Sequence, residues 1–308
     1  ANTGVIKYVD ATNGNDTTGN GSVSLPWKTI ATAITAIGNA ASLNVSGATI
    51  RLFPGSYEYP AVDFAYSEDR WLNIEGHPSY PKSAVVMTQM LGPGSLQKRV
   101  CFRHLRVALP ETGVAFLMRS GPYGNMFWAD NLEARGLGHL CAGGPGTCST
   151  GSMTDVHIRF YTGIDVSDTR NSEFHADAIL VRNVTARNLG GDFLNTNKLV
   201  VNCSVNHMRF DGGVHPDVIQ VIQDTRNMIV YGLQAYDFSA QLAIGGGNAY
   251  AENIALVNVV LSQKWDDPQI FWMPGNSNGV YNHILLWHIT TRQMGFYVNQ
   301  GGGSNVSI

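Results

Sequence analysis

The sequence predicts an all-β fold, a parallel β-helix solenoid that begins with an amphipathic capping helix, and three observations lead to it. Charged residues make up only 14% of the chain while glycine occurs 34 times, a composition typical of turn-rich β-proteins. One short helical pattern lies near the start of the chain. Strand-like segments then recur in two interleaved series along the remainder, which is the signature of a solenoid.

The helical pattern comes first in the chain. Ser24 is a suitable N-cap, Pro26 suits an early helical position and Gly38 is a suitable stop. Apolar side chains recur between them with the helical period at Trp27, Ile30, Ala33, Ile34 and Ile37. The stretch "ATIRLFPGSYEY" follows, and it predicts a strand, a Pro-Gly turn and a second strand.

The two strand-like series share a common spacing. Segments of the first begin at residues 155, 178, 197, 227, 253 and 283, and those of the second at 165, 192, 217, 241, 269 and 295. Each coil therefore contributes a strand to at least two parallel sheets. A β-sandwich would need hairpin turns about every 8 to 12 residues, and Asn-Gly or Asp-Gly between paired strands is uncommon here.

This pattern predicts a single β-helix domain over residues 1–308, with a cap region at 1–45 and coils from about 46 to 308. The chain stops at "SNVSI", which is similar to the start of another coil. A C-terminal cap is therefore expected to be missing.

The N-terminal stretch "YVDATNGNDTTGNGSVSLPWKTIATAI", followed by "ATIRLFPGSYEY", resembles the N-terminal cap and first coil of right-handed parallel β-helix proteins of the pectate-lyase-like superfamily. That superfamily includes secreted polysaccharide lyases, related glycosidases and phage tail proteins. The motif covers about the first 60 residues, and the weaker coil pattern covers most of the rest. The resemblance implies a right-handed solenoid, and it does not separate a lyase from a hydrolase or a binding protein.

The alternation of side chains in the second series predicts a row of carboxylates. The large apolar residue at the second position of each segment is expected to face the core, so the residue before it is expected to face outward. The first three of these outward residues are Asp165, Asp192 and Asp217. Successive coils lie about 4.8 Å apart, and carboxylates this close are tolerated when they share a proton or bind a cation.

Two chemical roles follow from such a ladder. The three aspartates are predicted to bind Ca²⁺, which takes several oxygen ligands. Alternatively, Asp192 and Asp217 are an acid and base pair for glycoside cleavage. His215 lies two residues before Asp217 and is predicted to assist proton transfer. The alternative for the three aspartates is that they are turn residues that cap the starts of strands. The alternative for His215 is that it is an ordinary turn histidine.

The resemblance implies a Lys or Arg on a neighbouring coil as the base of a lyase, with acidic residues holding calcium. Lys264, Lys198 and Arg209 are the candidates. Lys264 is preferred because it lies on the coil after Gln241. Each of the three is alternatively a solvated loop cation.

Substrate-binding candidates come from the same outward positions. Gln241 continues the row of carboxylates, and Arg209 is a further candidate that no spacing fixes. Phe271 and Tyr297, two positions past the row, are expected to form a stacking floor for sugar rings. A loop that covers and packs on these rings is the alternative.

Hydrolases of the superfamily are expected to carry "NTDG", a paired "DD" and "GHG" on consecutive coils, but the corresponding stretches here are "TGID", "HPDV" and "AQLAIGGG". This departure weakens the hydrolase interpretation. The sequence therefore predicts a secreted or virion-associated enzyme that cleaves an acidic, uronate-containing polysaccharide by β-elimination. The alternatives are an inverting glycosidase and a non-catalytic glycan-binding or phage tail β-helix. The sequence is compatible with both a monomer and a homotrimer.

The net charge, the apolar runs and the cysteines limit the classes of partner and of cellular compartment that are expected. The net charge is −3 and Lys and Arg are scattered singly, so nucleic acid is not an expected partner. No apolar run approaches the roughly 18 residues of a membrane span, so a membrane is not expected either. Cys141 and Cys148 flank the loop "CAGGPGTC" and could form a disulfide in an oxidising compartment, with four reduced thiols as the alternative.

Overall fold

The computed structural model describes residues 4–38, 47–60, 71–89, 99–109, 126–136, 158–169, 178–190, 192–194, 198–208, 217–219, 225–238, 242–243, 251–263, 271–273, 281–292, 296–298 and 306–307. These residues divide into two compact units, unit 1 within Ala1–Gly136 and unit 2 within Tyr161–Ile308. The single domain over 1–308 stays a prediction. Across the described ranges, no helix has the length and apolar character needed to cross a membrane.

Unit 1 combines the helix with short parallel strands. A 3₁₀ helix at Lys82–Ala84 precedes its fifth strand. The regular elements are β1 (Val5–Val9), α1 (Ile30–Gly38), β2 (Ala48–Leu52), β3 (Gly55–Glu58), β4 (Leu72–Gly76), β5 (Val85–Gln89), β6 (Arg99–Arg103), β7 (Arg106–Leu109), β8 (Met126–Asp130) and β9 (Glu133–Gly136).

The strands of unit 1 alternate between two parallel series. One series pairs β1, β2, β4, β6 and β8 in turn, and the other pairs β3, β5, β7 and β9. The strand, Pro-Gly turn and strand expected from "ATIRLFPGSYEY" are therefore β2 and β3, one in each series. Opposite charges face each other across adjacent coils, with N···O distances of 2.5, 2.8 and 3.0 Å, in Arg51–Glu75, Arg103–Asp130 and Arg106–Glu133.

The helix begins later than the sequence predicts. It starts at Ile30, so Ser24, Pro26 and Trp27 all precede it, and Trp27 instead forms a parallel bridge with Val9. The predicted apolar face is confirmed, since every one of its helical members is at most 2% exposed: Ile30, Ala33, Ile34 and Ile37. The predicted end at Gly38 is also confirmed.

Asp16 and Thr29 explain the late start of α1. The Asp16 carboxylate accepts the backbone N–H groups of Lys28 and Thr29 at 2.8 and 3.0 Å and the Thr29 hydroxyl at 2.9 Å. Thr29 Oγ1 in turn accepts the Thr32 N–H at 3.2 Å, as an N-cap does. Burial raises the pKa of Asp16, but the hydrogen bonds from Thr29 and Lys28 outweigh it and hold the pKa below its ordinary value.

Unit 2 contains strands only in its described part. The boundary with unit 1 falls within β10 (Ile158–Thr162). The others are β11 (Asp165–Thr169), β12 (Leu180–Arg182), β13 (Thr185–Leu189), β14 (Leu199–Val201), β15 (Ser204–Met208), β16 (Thr225–Tyr231), β17 (Gln234–Phe238), β18 (Leu242–Ala243), β19 (Ala251–Gln263), β20 (Phe271–Met273), β21 (Tyr281–Arg292), β22 (Phe296–Val298) and β23 (Val306–Ser307).

These strands form three parallel series. The first series contains β12, β14, β16, the start of β19, the start of β21 and β23. The second contains β11, β13, β15, β17 and the ends of β19 and β21. Residues 192–194 and 217–219 form a third series, joined by one bridge, and β18, β20 and β22 pair in a separate sheet.

The register confirms the first predicted repeat. Leu180 pairs with Leu199, Leu199 with Ile229, Ile229 with Ala255 and Ala255 with Leu285, which are the steps between the segments predicted to begin at 178, 197, 227, 253 and 283. The fold is thus a right-handed parallel β-helix, as predicted, with the handedness that crossovers between parallel strands adopt.

A left-handed backbone residue marks the corner between the first and second series. The corner residues of successive coils have φ between 51° and 71° and are Gly163, Asn183, Asn202, Gly232, Asn258 and His288. Gly and Asn are the residue types that adopt this conformation most readily. The corner N–H of one coil donates to a carbonyl of the next, for example Asn202 N–H to Tyr231 O at 2.9 Å. This bond fixes the stacking of the coils.

Two of the four cysteines lie in the described strands and loops, and both are buried free thiols. Cys101 and Cys203 are each 1% exposed. Burial raises the pKa of Cys101 to about 12 and that of Cys203 to about 11. Cys141 and Cys148, the pair considered for a disulfide, lie outside the described residues.

We expect Asp16→Ala to lower the free energy of unfolding by about 1 kcal/mol at neutral pH, because Thr29, the N-cap of α1, loses the carboxylate that accepts its N–H and its hydroxyl. The folded-state pKa lies below the unfolded value, so this stabilisation is fully present above the unfolded pKa of about 3.9 and is lost as the pH falls through the folded-state pKa. Urea unfolding over a series of pH values measures it. Asp16→Asn keeps an acceptor and should lose less at neutral pH. A cost of Asp16→Ala that does not shrink in acid contradicts the assignment.

We also expect Cys101 and Cys203 to stay unmodified when the folded protein meets a thiol reagent at about pH 8, because the thiolate is the reactive form. Peptide mass mapping after labelling, with and without denaturant, measures this at each site. A variant with Cys141→Ser and Cys148→Ser removes the other two thiols and serves as the control. Rapid labelling of that folded variant would show that the two strands open readily.

Candidate functional site

The candidate site lies at a second corner in unit 2, near the ends of the second-series strands. Four polar residues adopt a left-handed backbone there, with φ between 48° and 66°, and each comes from one of four successive coils. We call them the corner cluster: Asp168, Asn188, His207 and Asp237. Asn, Asp and His enter this conformation more readily than other non-glycine residues, so the corner itself selects side chains that can titrate or hydrogen-bond.

The first two members of the corner cluster are joined by hydrogen bonds. Asn188 Nδ2 donates to Asp168 Oδ1 at 2.7 Å. Ser167 Oγ donates to Asp168 Oδ2 at 3.0 Å. The Asp168 carboxylate therefore accepts a neutral donor at each oxygen while its side chain stays exposed.

The other two members form a histidine–carboxylate pair. His207 Nδ1 donates to Asp237 Oδ2, and the two side chains are 25% and 42% exposed. An ionised carboxylate only accepts hydrogen bonds, so the proton of neutral His207 lies on Nδ1 and the lone pair lies on Nε2. A histidine oriented in this way by a carboxylate is the common form of a general base.

A row of outward side chains runs beside the corner cluster. The register places Arg187, Asn206 and Tyr236 in line on three successive coils. Arg187 is 58% exposed in its side chain and Tyr236 is 40% exposed. Tyr236 immediately precedes Asp237 in the chain, and Asn206 immediately precedes His207. The two rows together place an imidazole, a phenol and a guanidinium on neighbouring strands of the second series.

The predicted ladder of three aspartates is wrong in its register. Asp165 pairs with Thr185 in the second series, whereas Asp192 and Asp217 belong to the third series. Asp165 lies 3.7 Å from Arg187, and its side chain is 34% exposed. The prediction grouped Asp165 with Asp192 and Asp217 in one series, although a corner of the coil separates the two series to which they belong.

The predicted exposure of the other two aspartates is also wrong. Asp192 is 1% exposed and Asp217 is 0% exposed, and the residues that follow each of them are buried as well. Asp192 Oδ1 accepts the backbone N–H of Asp217 at 2.7 Å, so it helps to connect adjacent coils. These two short segments are buried on both faces, and the alternation of inward and outward side chains does not apply to them.

The predicted calcium site does not fit this arrangement. Its three carboxylates are divided between two strand series, and two of them are fully buried. Within the described ranges, no three His, Cys, Asp or Glu side chains are grouped so that they could hold a metal ion. We derive no chemical step through calcium, and calcium binding stays a prediction.

Several other predicted residues cannot be compared with the structure. His215, Lys264, Gln241 and Arg209 lie outside the described residues, so their roles stay predictions. Lys198 is described, and its Nζ donates to the backbone carbonyl of Arg226 at 2.7 Å. That contact gives Lys198 a structural role across adjacent coils.

Phe271 lies in β20 and Tyr297 lies in β22. In the register of these strands Phe271 pairs with Phe296, and Tyr297 pairs with Trp272. The stacking floor stays a prediction.

The sequence analysis missed the corner cluster. Its signal was present in "SVNHM" at 204–208 and "QAYDF" at 234–238, where a polar residue stands directly before the last apolar residue. Strict alternation from the buried Val205 and Ala235 would have placed both residues inward and would have exposed Met208 and Phe238, which are in fact buried. The left-handed corner instead inserts an extra residue, which is how a bulge re-aims a side chain.

No family model and no curated protein matches the sequence. Two solved structures are similar to the chain. One is the crystal structure of the pectin methylesterase from Aspergillus niger in deglycosylated form, with 13% identity, a TM-score of 0.43, and coverage of 100% of this chain and 92% of that one. The other is the GH136 lacto-N-biosidase from Eubacterium ramulus, with 11% identity, a TM-score of 0.39, and coverage of 93% of this chain and 68% of that one. At these values the likeness assigns no residue, substrate or activity to this chain.

We expect Asp237→Gly to remove the preference of His207 for the Nδ1-protonated tautomer, because the accepting carboxylate is gone while glycine keeps the left-handed corner unstrained. Imidazole ¹⁵N chemical shifts of the neutral form measure the tautomer. Asn258→Gly is the matched control, since it removes the partner of His288 Nδ1 at a corner residue and should leave His207 unchanged. An unaltered His207 tautomer in Asp237→Gly would show that the pair does not orient the ring.

Proposed function

We propose that this chain is a carbohydrate-active protein that binds an acidic polysaccharide across the coils of unit 2 and cleaves it by β-elimination at the corner cluster. The observation that carries the proposal is the His207–Asp237 pair beside exposed Tyr236 and Arg187. The predicted roles of Asp192, Asp217, His215 and Lys264 in catalysis are replaced in this proposal by residues of the second series.

The shape of the surface favours a polymeric ligand. Outward rows of the second series repeat at each coil, about every 4.8 Å. An extended glycan that crosses the coils therefore meets hydrogen-bonding side chains along its whole length. The exposed ring of Tyr236 offers a face on which a sugar ring can stack.

The charges favour a uronate. Arg187 is the exposed cation nearest in register to the corner cluster, and a guanidinium binds a carboxylate through two parallel hydrogen bonds. Its contact with Asp165 is long, at 3.7 Å, and exposed contacts of this kind contribute little. A substrate carboxylate can therefore compete for the guanidinium.

The proposed reaction is a β-elimination, in which the substrate loses a proton to the protein and its glycosidic bond breaks. His207 Nε2 removes the proton on the carbon next to the substrate carboxyl, and the electron pair forms a carbon–carbon double bond. The bond to the glycosidic oxygen breaks, and Tyr236 OH gives that oxygen a proton. Asp237 stabilises the imidazolium that forms. Arg187 stabilises the negative charge that develops on the carboxyl group during proton removal.

A second candidate function is non-catalytic glycan binding, and one observation favours it. Ladders of the same kind occur at corners without a carboxylate, as in the bonds of His283 to Asn253 at 3.0 Å and of Asn253 to Asn227 at 2.9 Å. A histidine at a corner is thus compatible with a purely structural role. In either case the polysaccharide ligand favours an extracellular or virion-associated location.

We expect the chain to release unsaturated, ultraviolet-absorbing products from at least one of polygalacturonate, alginate and hyaluronan. His207→Asn should lower this activity by roughly 100-fold or more, the usual contribution of a general base, while asparagine preserves the left-handed corner. Tyr236→Phe should also lower kcat, because it removes the proton donor.

His288→Asn is the matched control, since it makes the same exchange at the other corner of unit 2 and should leave activity unchanged. Each assay is run with and without a chelator, which tests the predicted calcium dependence separately. New reducing ends without ultraviolet absorbance would identify a hydrolase, and retention on the polysaccharide without cleavage would identify a binding protein. Either outcome, or full activity of His207→Asn, contradicts the elimination proposal.

A further inference from the structure

The outward face of the first series in unit 2 is apolar. Five large side chains are exposed there by 38% to 56%, although a β-helix needs no apolar residue on its outside: Leu199, Ile229, Tyr231, Leu285 and Trp287. The residues that alternate with them point inward and are buried. We call these five residues the apolar face.

The register arranges the apolar face in two adjacent rows along the coils. Leu199 and Ile229 pair directly, Ala255 follows Ile229, and Leu285 follows Ala255. The second row, two residues further along each strand, consists of Val201, Tyr231, Val257 and Trp287. The apolar surface is therefore continuous over four coils. Single exposed apolar residues are normal on a protein surface, but a continuous apolar patch is not.

Polar ladders border the apolar face on both sides. Asn227, Asn253 and His283 form one border through side-chain hydrogen bonds of 2.9 and 3.0 Å. Asn258 and His288 form part of the other, at 3.1 Å. An apolar centre with a hydrogen-bonded rim is the usual anatomy of a protein–protein interface.

The charged side chains near the apolar face lie beside the border that contains Asn227. Arg226 lies 3.7 Å from Glu252 in a long, exposed contact that contributes little, and Lys198 Nζ donates to the Arg226 carbonyl. Neither row contains a charged residue within these four coils, and Arg182 continues the second row on the preceding coil, beside Val201. A uronate glycan that lay on the four coils would therefore bring its carboxylates to an apolar surface.

The area matches one half of a standard interface. At roughly 200 Å² for each large side chain, the exposed fractions amount to about 450 Å² of apolar surface. A standard interface covers about 800 Å² on each partner, of which a little over half, again about 450 Å², is apolar. The apolar face with its polar borders is thus large enough for stable association.

We propose that the apolar face binds the same face of a second copy of this chain. A two-fold axis places the same patch of both copies in contact, so the aliphatic side chains, Tyr231 and Trp287 of one copy meet the same set of residues in the other. The association buries Trp287 and Tyr231, the residue types that contribute most at interfaces. This inference does not depend on the proposed cleavage activity.

Sedimentation velocity over a range of concentrations tests the association. We expect a mass of two chains for the unchanged protein. Ile229→Glu and Leu285→Glu should each raise the dissociation constant at least about tenfold, because they place an unpaired charge at the centre of the interface. Both positions are on the surface, and circular dichroism with thermal unfolding checks that the variants fold.

Leu25→Glu is the matched control, since Leu25 is 52% exposed in unit 1 and the exchange is the same. It should leave the mass at two chains. A single-chain mass at all concentrations overturns the proposal, as does a two-chain mass that persists in Ile229→Glu and Leu285→Glu. Loss of polysaccharide binding in those two variants of a single-chain protein would assign the face to a glycan instead and would also overturn it.

Discussion

The structure depends on one constraint, the hydrogen bond that each coil corner donates to the next coil. The corner residue adopts a left-handed backbone, which restricts it largely to Gly, Asn, Asp and His. Its N–H then meets a carbonyl of the following coil, as at Gly163, Asn183 and Asn202. Because these described corners are fixed in this way, strands of one series stay in register even though the loops between coils differ in length.

This constraint leaves the outward residues of unit 2 available for function. The inward column is occupied by fully buried aliphatic residues such as Val181, Val200 and Val230, which hold adjacent coils together by apolar packing. The outward side chains are not needed for this packing between coils. The first series therefore carries an apolar face, and the second carries polar rows.

The corner also explains why polar side chains gather where they do. A left-handed position favours polar residues for backbone reasons alone, and stacking then brings them close together. His207 and Asp237 are paired because they occupy the same corner on adjacent coils, although they are 30 residues apart in the chain. A titratable pair thus arises from the same restriction that holds the coils in register.

The sequence by itself determined the repeat, the buried face of α1 and the register of the first series from residue 178 onward, because these depend on apolar periodicity within short segments. Tertiary structure alone decided which segments share a series. Asp165 and Asp192 have similar local sequences, yet a corner separates them, and only the pairing of Asp165 with Thr185 reveals it. Burial of Asp192 and Asp217 likewise depends on packing from distant coils, which no local pattern encodes.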